Sequence, residues 1–439
     1  MLLAYVHGIC SRKSSFNCFR RTHFLSSTRF LFPSKRRQVR APSLHLSCLY
    51  TTREKSVNSS KPILHPKITI LGGGFGGLYT ALTLSRYPWT RLTKPKITLV
   101  DRSDRFVFLP MLYEVAFGQL DKWQVAPTFS QLLQGTDVEF VLGQVEKVDV
   151  QKSTYWLLPS VRNQVCHQFL VPTINLTKMR RQQNRKPVIF VIGGSYSGVE
   201  LASNVAEYFR GEARVCIVDR GNRLLDAASE HNRNVALQTL RSLNVESLLD
   251  MEVSCVTENA VSLKSIQEST QESEKKFDAD LVLWTAGFKP SSWLQFVALE
   301  KDPTGRILTS STLQATRHDN IFVLGDAAAV TDVNGQRCKA TAQVAIQQAE
   351  CAAWNIWASL CNKKPVPFRY EHLGELMTLG KYNGTAEVFG IPLSGTSAQF
   401  TRRLAYLFRM PTNLHRLKVG QNWVFKPVSC FFENFSFPL

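Results

Sequence analysis

Two glycine-rich turns, each set between a short hydrophobic strand and an apolar helix, constrain this 439-residue chain more than any other feature. The first lies in KITILGGGFGGLYTALTL, residues 67–84. Lys67 to Leu71 is β-branched and reads as a strand, and Leu78, Ala81, Leu82 and Leu84 follow at helical spacing. Between them Gly72, Gly74 and Gly77 satisfy G-x-G-x-x-G. The spacing has a physical reason. Gly72 permits the tight turn, Gly74 lets a pyrophosphate approach the backbone, and Gly77 lets helix and strand pack closely. Phe75 opens the helix, whose free N–H groups and dipole suit phosphate. A second strand, KITLVDR, ends at Asp101 and Arg102, and an acid there suits ribose hydroxyls. It comes 29 residues after Gly72, and the polar insert RYPWTRLTKP accounts for the surplus.

The same pattern returns in PVIFVIGGSYSGVELASN, residues 187–204, with Gly193, Ser195 and Gly198 in the three key places. Ser195 stands where the middle glycine belongs. Its hydroxyl can bond a phosphate, while its Cβ crowds one. The next strand, RVCIVD, ends at Asp219, 26 residues after Gly193. That carboxylate repels a 2′-phosphate and favours NADH, whereas the neighbouring Arg220 offsets it and admits NADPH, so the choice stays open. A purely structural glycine turn is the rival reading at each site. Strand, glycines, helix, strand and acid in that order favour nucleotide binding. Two such units predict an α/β chain with two Rossmann-like domains, and the natural pair of ligands is a bound FAD and an exchangeable NAD(P)H.

The net charge of +19 is unevenly spread. Residues 1–53 hold ten Lys and Arg and no acid, among many Ser and Thr. That is the composition of an organelle transit peptide, with an unaddressed tail as the alternative. Without those residues the charge is +9, which suits an anionic lipid surface or an anionic cofactor. Nucleic acid is disfavoured, because no basic run is interleaved with stacking aromatics. The ten cysteines form no C-x-x-C and no metal pattern. No run of eighteen apolar residues offers a membrane span.

Further segments carry a family resemblance. They are FVFLPMLYEVAFGQL (106–120), DLVLWTAGFKP (280–290), NIFVLGDAAAV (320–330) and TAQVAIQQAE (341–350). With the two glycine units, the chain resembles type II NAD(P)H:quinone oxidoreductases over about 65–160 and 187–420. Within them it is most similar to the plant type C alternative NAD(P)H dehydrogenases of plastids and mitochondria. The resemblance implies an FAD domain, 61–185 and 301–365, interrupted by an NAD(P)H domain, 186–300. A transit peptide (1–60) would precede them and a quinone- and membrane-facing region (366–439) would follow. It implies that Gly325-Asp326, delivered by a strand Ile321 to Leu324 to a helix start, holds the flavin ribityl chain. A plain helix N-cap is the alternative. Thr285-Ala286-Gly287 would close the NAD(P)H domain, and Glu200 would sit near the nicotinamide. Gln343 and Gln347, at i and i+4 on one helix face, would meet a prenylquinone, against the alternative of a solvated polar stripe.

A prenylquinone lives in lipid, so a peripheral membrane or lipid-particle surface is an implied partner, and a homodimer is allowed. FTRRLAYLFRMP (400–411) suits such a surface, with Phe400, Leu404, Leu407 and Phe408 on one face and Arg402, Arg403 and Arg409 around it. A core helix with a basic rim is the rival. Two departures stand out. Residues 160–186 look a few dozen residues too short for the family's crossover between domains, as in a skipped exon. The aromatic tail from Gly420, with two prolines, does not read as the family's amphipathic helix. Alternatives in other classes are an inactive variant that keeps the nucleotide folds and a sulfide:quinone oxidoreductase, for which Cys166 and Cys338 are the available pair.

Overall fold

The computed structural model describes residues 66–433 except 92, 159–184, 268–273 and 288–289. The transit-peptide reading and most of the short 160–186 segment, with Cys166, lie outside the described residues.

The first glycine unit forms as its residues dictate. β1 (Lys67–Leu71) runs into α1 (Phe75–Arg86), and β2 (Lys96–Asp101) returns parallel to β1. Three short helices follow, α2 (Leu112–Ala116), α3 (Lys122–Val125) and α4 (Phe129–Leu132). β3 (Val138–Leu142) then joins the far side of β2. An antiparallel ribbon, β4 (Gln144–Asp149) with β5 (Thr154–Leu158), completes this part. The apolar face of α1 closes the core: Leu78, Ala81 and Leu84 are wholly buried.

The second unit repeats the plan. β6 (Val188–Ile192), α5 (Tyr196–Phe209), β7 (Arg214–Val218), α6 (Glu230–Ser242) and β8 (Glu246–Leu248) wind in order. The antiparallel β9 (Met251–Val256), β10 (Ala260–Ser265) and β11 (Glu274–Asp278) form a separate sheet. β12 (Leu281–Trp284) then returns to the parallel sheet, whose order is β12-β6-β7-β8. β6, β7 and β12 carry near-continuous hydrophobic runs because both faces are covered, whereas the edge strand β8, Glu-Ser-Leu, is largely exposed.

The chain next crosses back. β13 (Ile307–Leu308) and β14 (Ala328–Ala329) pair in parallel, and α7 (Ala342–Leu360) packs along α1. An antiparallel sheet of β15 (Glu375–Thr378), β16 (Gly384–Val388) and β17 (Ile391–Ser394) precedes α8 (Gly395–Arg409) and α9 (Asn413–Glu433).

Three sequence expectations are corrected here. The tail is helical, since α9 runs through Gly420 and Pro427 to Glu433. Residues 321–324 form no strand but an extended segment with one bridge, Gln314 to Phe322. Gly325 to Ala327 is a single 3-10 turn leading into β14, so the long helix beside it begins only at Ala342.

Candidate active site

The two glycine loops show the same steric logic. Gly72 and Gly193 have φ of +102° and +113°, a region that β-carbons avoid. A Cβ on Gly77 would sit 1.8 Å from the Gly72 carbonyl oxygen, and one on Gly198 would sit 1.7 Å from that of Gly193. Gly74 has no heavy atom within 4 Å of such a Cβ, so space stands open in front of it. Ser195 occupies the equivalent exposed position and makes no side-chain cap. Phe75 is buried against Phe106 and Phe108 with edge-on rings, which fixes the start of α1.

The strand-end acids reach back to these loops. Asp101 accepts hydrogen bonds from the Gly73 N–H (2.6 Å) and the Ser103 N–H (2.7 Å). Burial raises its pKa, while those N–H donors and the Arg102 charge work the other way. Asp219 accepts from Gly194 (2.5 Å) and Gly221 (2.7 Å) in the same manner. Arg220 is exposed and faces Glu252 at 3.8 Å.

One cavity of about 1240 Å³ joins several of the named residues. That exceeds the roughly 300–1,000 Å³ of a single small-ligand pocket. Gly72, Gly74, Phe75, Gly77, Asp101, Arg102, Gly325, Asp326 and Gln343 line it, and so do Ser195 and Glu200 from the start of α5. The first turn of α7 also opens onto it, so positive dipole faces the space. Gly193, Gly198, Asp219, Arg220 and Gly287 lie outside the cavity wall, on the side of the second loop. Open space before Gly74, a glycine turn in the required conformation and a helix N-terminus at the far wall all fit FAD. When bound, FAD supplies the two-electron relay between nicotinamide and acceptor.

The two glutamines part company. Gln343 lines the cavity and accepts a hydrogen bond from the Tyr370 hydroxyl. Gln347 does not line it. Its amide donates to the Glu371 carbonyl (2.7 Å) and accepts from the Glu371 N–H (2.9 Å), which pins that segment to α7. Gln348, which the sequence did not single out, is the buried member: its Oε1 accepts from the Gly325 N–H at 2.7 Å and so holds the Gly-Asp turn.

Arg402 is the largest correction. Its place beside an apolar stripe predicts a rim cation, yet it is wholly buried. Its Nη1 donates to Glu114 Oε1 at 2.6 Å and its Nη2 to the Pro110 carbonyl, and its guanidinium lies over the Tyr406 ring. Its Nε is 3.9 Å from Glu200 Oε1. Burial works against the Arg402 charge, and Glu114, Tyr406 and Glu200 more than offset it. Glu200 accepts from the Thr378 N–H at 2.9 Å, and burial pushes its pKa up to about 7 despite Arg402. One ion cluster therefore joins α2, α5 and α8 beside the cavity. Leu407 is half-buried against the first core, while Phe400, Leu404 and Phe408 are exposed as expected.

Comparison with known proteins places the chain in a family. A family model described as pyridine nucleotide-disulphide oxidoreductase matches residues 159–349. Demethylphylloquinone reductase NdbB of Synechocystis is 35% identical, covering 84% of this chain and 98% of that one. An alternative NAD(P)H-ubiquinone oxidoreductase C1, chloroplastic/mitochondrial, of Arabidopsis thaliana is 33% identical, covering 95% of this chain and 92% of that one. The type II NADH:quinone oxidoreductase of Haemophilus influenzae is 25% identical over 80% of the chain.

This chain belongs to the type II NAD(P)H:quinone oxidoreductase family.

As a member it is an FAD enzyme that oxidises NAD(P)H and reduces a quinone. An NDH2 of Plasmodium falciparum solved with NADH superposes with a TM-score of 0.68 at 14% identity, covering 82% of this chain and 98% of that one. The sulfide:quinone oxidoreductase of Aquifex aeolicus gives 0.64 at 16% identity, covering 79% and 91%. These likenesses bear on the fold alone. The match to the Arabidopsis relative runs over 488 positions, more than the 439 residues here, so that relative carries segments without a counterpart in this type II oxidoreductase.

Proposed function

We propose that this oxidoreductase passes electrons from NAD(P)H to a membrane prenylquinone, a plastoquinone, ubiquinone or naphthoquinone, at a plastid or mitochondrial membrane or lipid-particle surface. The carrying observation is the single cavity that runs from the first glycine loop to Glu200 and the first turn of α7. In this reading Gly72, Gly74, Gly77 and Asp326 hold FAD, and Gly193, Ser195, Gly198 and Asp219 hold the nicotinamide dinucleotide. Gln343 meets the quinone, and Gln347 acts through the backbone of Glu371. The domain division drawn from the sequence accompanies it: an FAD part split around an NAD(P)H part.

The membrane reading is supported by the outer face of the last two helices. Among the described residues, Phe400, Phe408, Leu414, Leu417, Val424 and Phe425 are all more than half exposed, and Arg403, Arg409, Arg416 and Lys418 lie among them. Exposed apolar side chains interspersed with cations suit an anionic lipid interface. No helix among the described residues is long and apolar enough to cross a membrane. The names of the Synechocystis and Arabidopsis relatives favour a naphthoquinone or ubiquinone and an organelle address.

Spectroscopy on purified protein tests the redox part. Flavin bands should bleach on adding NAD(P)H and return on adding a soluble prenylquinone analogue. Folded protein that stays colourless with added FAD would refute it. Flotation with anionic liposomes, lost in Phe400→Ser/Phe408→Ser, tests the surface.

A further inference from the structure

We propose that Tyr370 protonates the quinone and that the exposed His372 resupplies its proton from solvent. The proposal rests on the reading that quinone binds beside Gln343. Reducing a quinone to a hydroquinone forms two O–H bonds and consumes two electrons and two protons. NAD(P)H supplies both electrons but only one hydrogen, so the second proton comes from water.

The structure holds a chain of donors that points inward. Tyr370, His372 and Gln343 all line the cavity. The Tyr370 hydroxyl donates to Gln343 Oε1, because an amide oxygen can only accept. The Gln343 amide is oriented by its second contact, Nε2 to the Gly374 carbonyl at 3.5 Å. With its own proton committed, the Tyr370 oxygen accepts at His372 Nδ1, 3.2 Å away. His372 is exposed, and its second ring nitrogen is free to exchange a proton with solvent as Nδ1 gives one up.

Tyr370 suits the donor role. Burial raises its pKa, and the Cys338 thiol and the Glu375 carboxylate nearby push the same way, so it holds its proton at rest. As two electrons arrive, the Tyr370 O–H breaks and an O–H forms on the quinone oxygen. The His372 Nδ1 proton replaces it as His372 Nε2 takes up a proton from bulk solvent, so one solvent proton is consumed per turnover. Gln347 positions the pair. Glu371 lies between Tyr370 and His372, and both its N–H and its carbonyl are bonded to the Gln347 amide.

The test uses the FAD-loaded protein, with NAD(P)H reduction and reoxidation by a short-chain quinone followed separately in stopped flow. Tyr370→Phe should leave reduction within about twofold and slow reoxidation by about 10²-fold, a common general-acid effect. His372→Gln should slow reoxidation less and regain rate with added imidazole. In protein without quinone, the His372 Nδ1 proton resonance should shift in Tyr370→Phe. Normal reoxidation in Tyr370→Phe, or no imidazole rescue of His372→Gln, overturns the relay. Binding of a non-reducible quinone analogue to Gln343→Leu separates the two ideas. Unchanged affinity refutes the quinone position and the relay with it. Weakened affinity alongside normal reoxidation in Tyr370→Phe refutes the relay alone.

Discussion

Arg402→Met should destabilise the enzyme strongly and in a pH-dependent way. Arg402 and Glu114 are both inaccessible to solvent and 2.6 Å apart, and Glu200 is 3.9 Å from the same guanidinium. Removing the cation leaves two carboxylates in a closed site. Deleting one partner of a buried pair costs about 3–5 kcal/mol. The Pro110 carbonyl also loses its donor, worth about 1 kcal/mol more. Methionine keeps much of the stem's volume, so a cavity adds little. The sum is a large share of the roughly 5–15 kcal/mol that holds a typical protein folded. Urea unfolding at pH 7.5 and pH 5, followed by circular dichroism, measures it. The loss should shrink in acid, where protonation removes an unpaired charge. Glu114→Gln/Arg402→Met should recover most of it, since that exchange leaves fewer buried charges. A loss below about 1 kcal/mol at both pH values, or a double variant no better than the single one, would refute the reasoning.

Glu200 makes a separate pH prediction. Its pKa is raised from 4.5 to about 7 by burial, so its contribution to stability is complete below pH 4.5 and is lost as pH rises through 7. Glu200→Gln should therefore gain about 3 kcal/mol on wild type between pH 4 and pH 8, read from unfolding curves; a flat difference would contradict it. Gly198→Ala should keep FAD but fail to bleach with NAD(P)H, because its new methyl meets the Gly193 carbonyl at 1.7 Å; Gly77→Ala should be colourless. Gln347→Leu should slow quinone reduction several-fold and leave flavin bleaching intact, through loss of both bonds to Glu371. Equal loss in both half-reactions would speak against that role.

Much of the fold was legible because its signals are local. In each glycine unit, strand, turn and helix lie within about 20 residues, and one steric rule dictates all three. The acids Asp101 and Asp219 could be found by counting from the glycines. Arg402 could not, because its partner Glu114 is 288 residues away and helix periodicity reports a face rather than what covers it. A one-residue step turns a helix by about 100°, so a motif containing Gln347 and Gln348 does not say which of them faces the Gly-Asp turn. The tail misled for a different reason. Pro427 argues against a helix, yet α9 continues through it. His415, buried on α9, anchors that helix to the Gln124 carbonyl at 2.8 Å, another contact with no local signature.

The cluster around Arg402 also bears on how the two nucleotide layers are held. A late segment of the chain reaches back and rivets the first nucleotide layer to the second from inside. A brace placed there couples the spacing of the two layers to three side chains, Glu114, Glu200 and Arg402. A substitution in any of the three therefore reaches both layers at once, although each lies in a different helix.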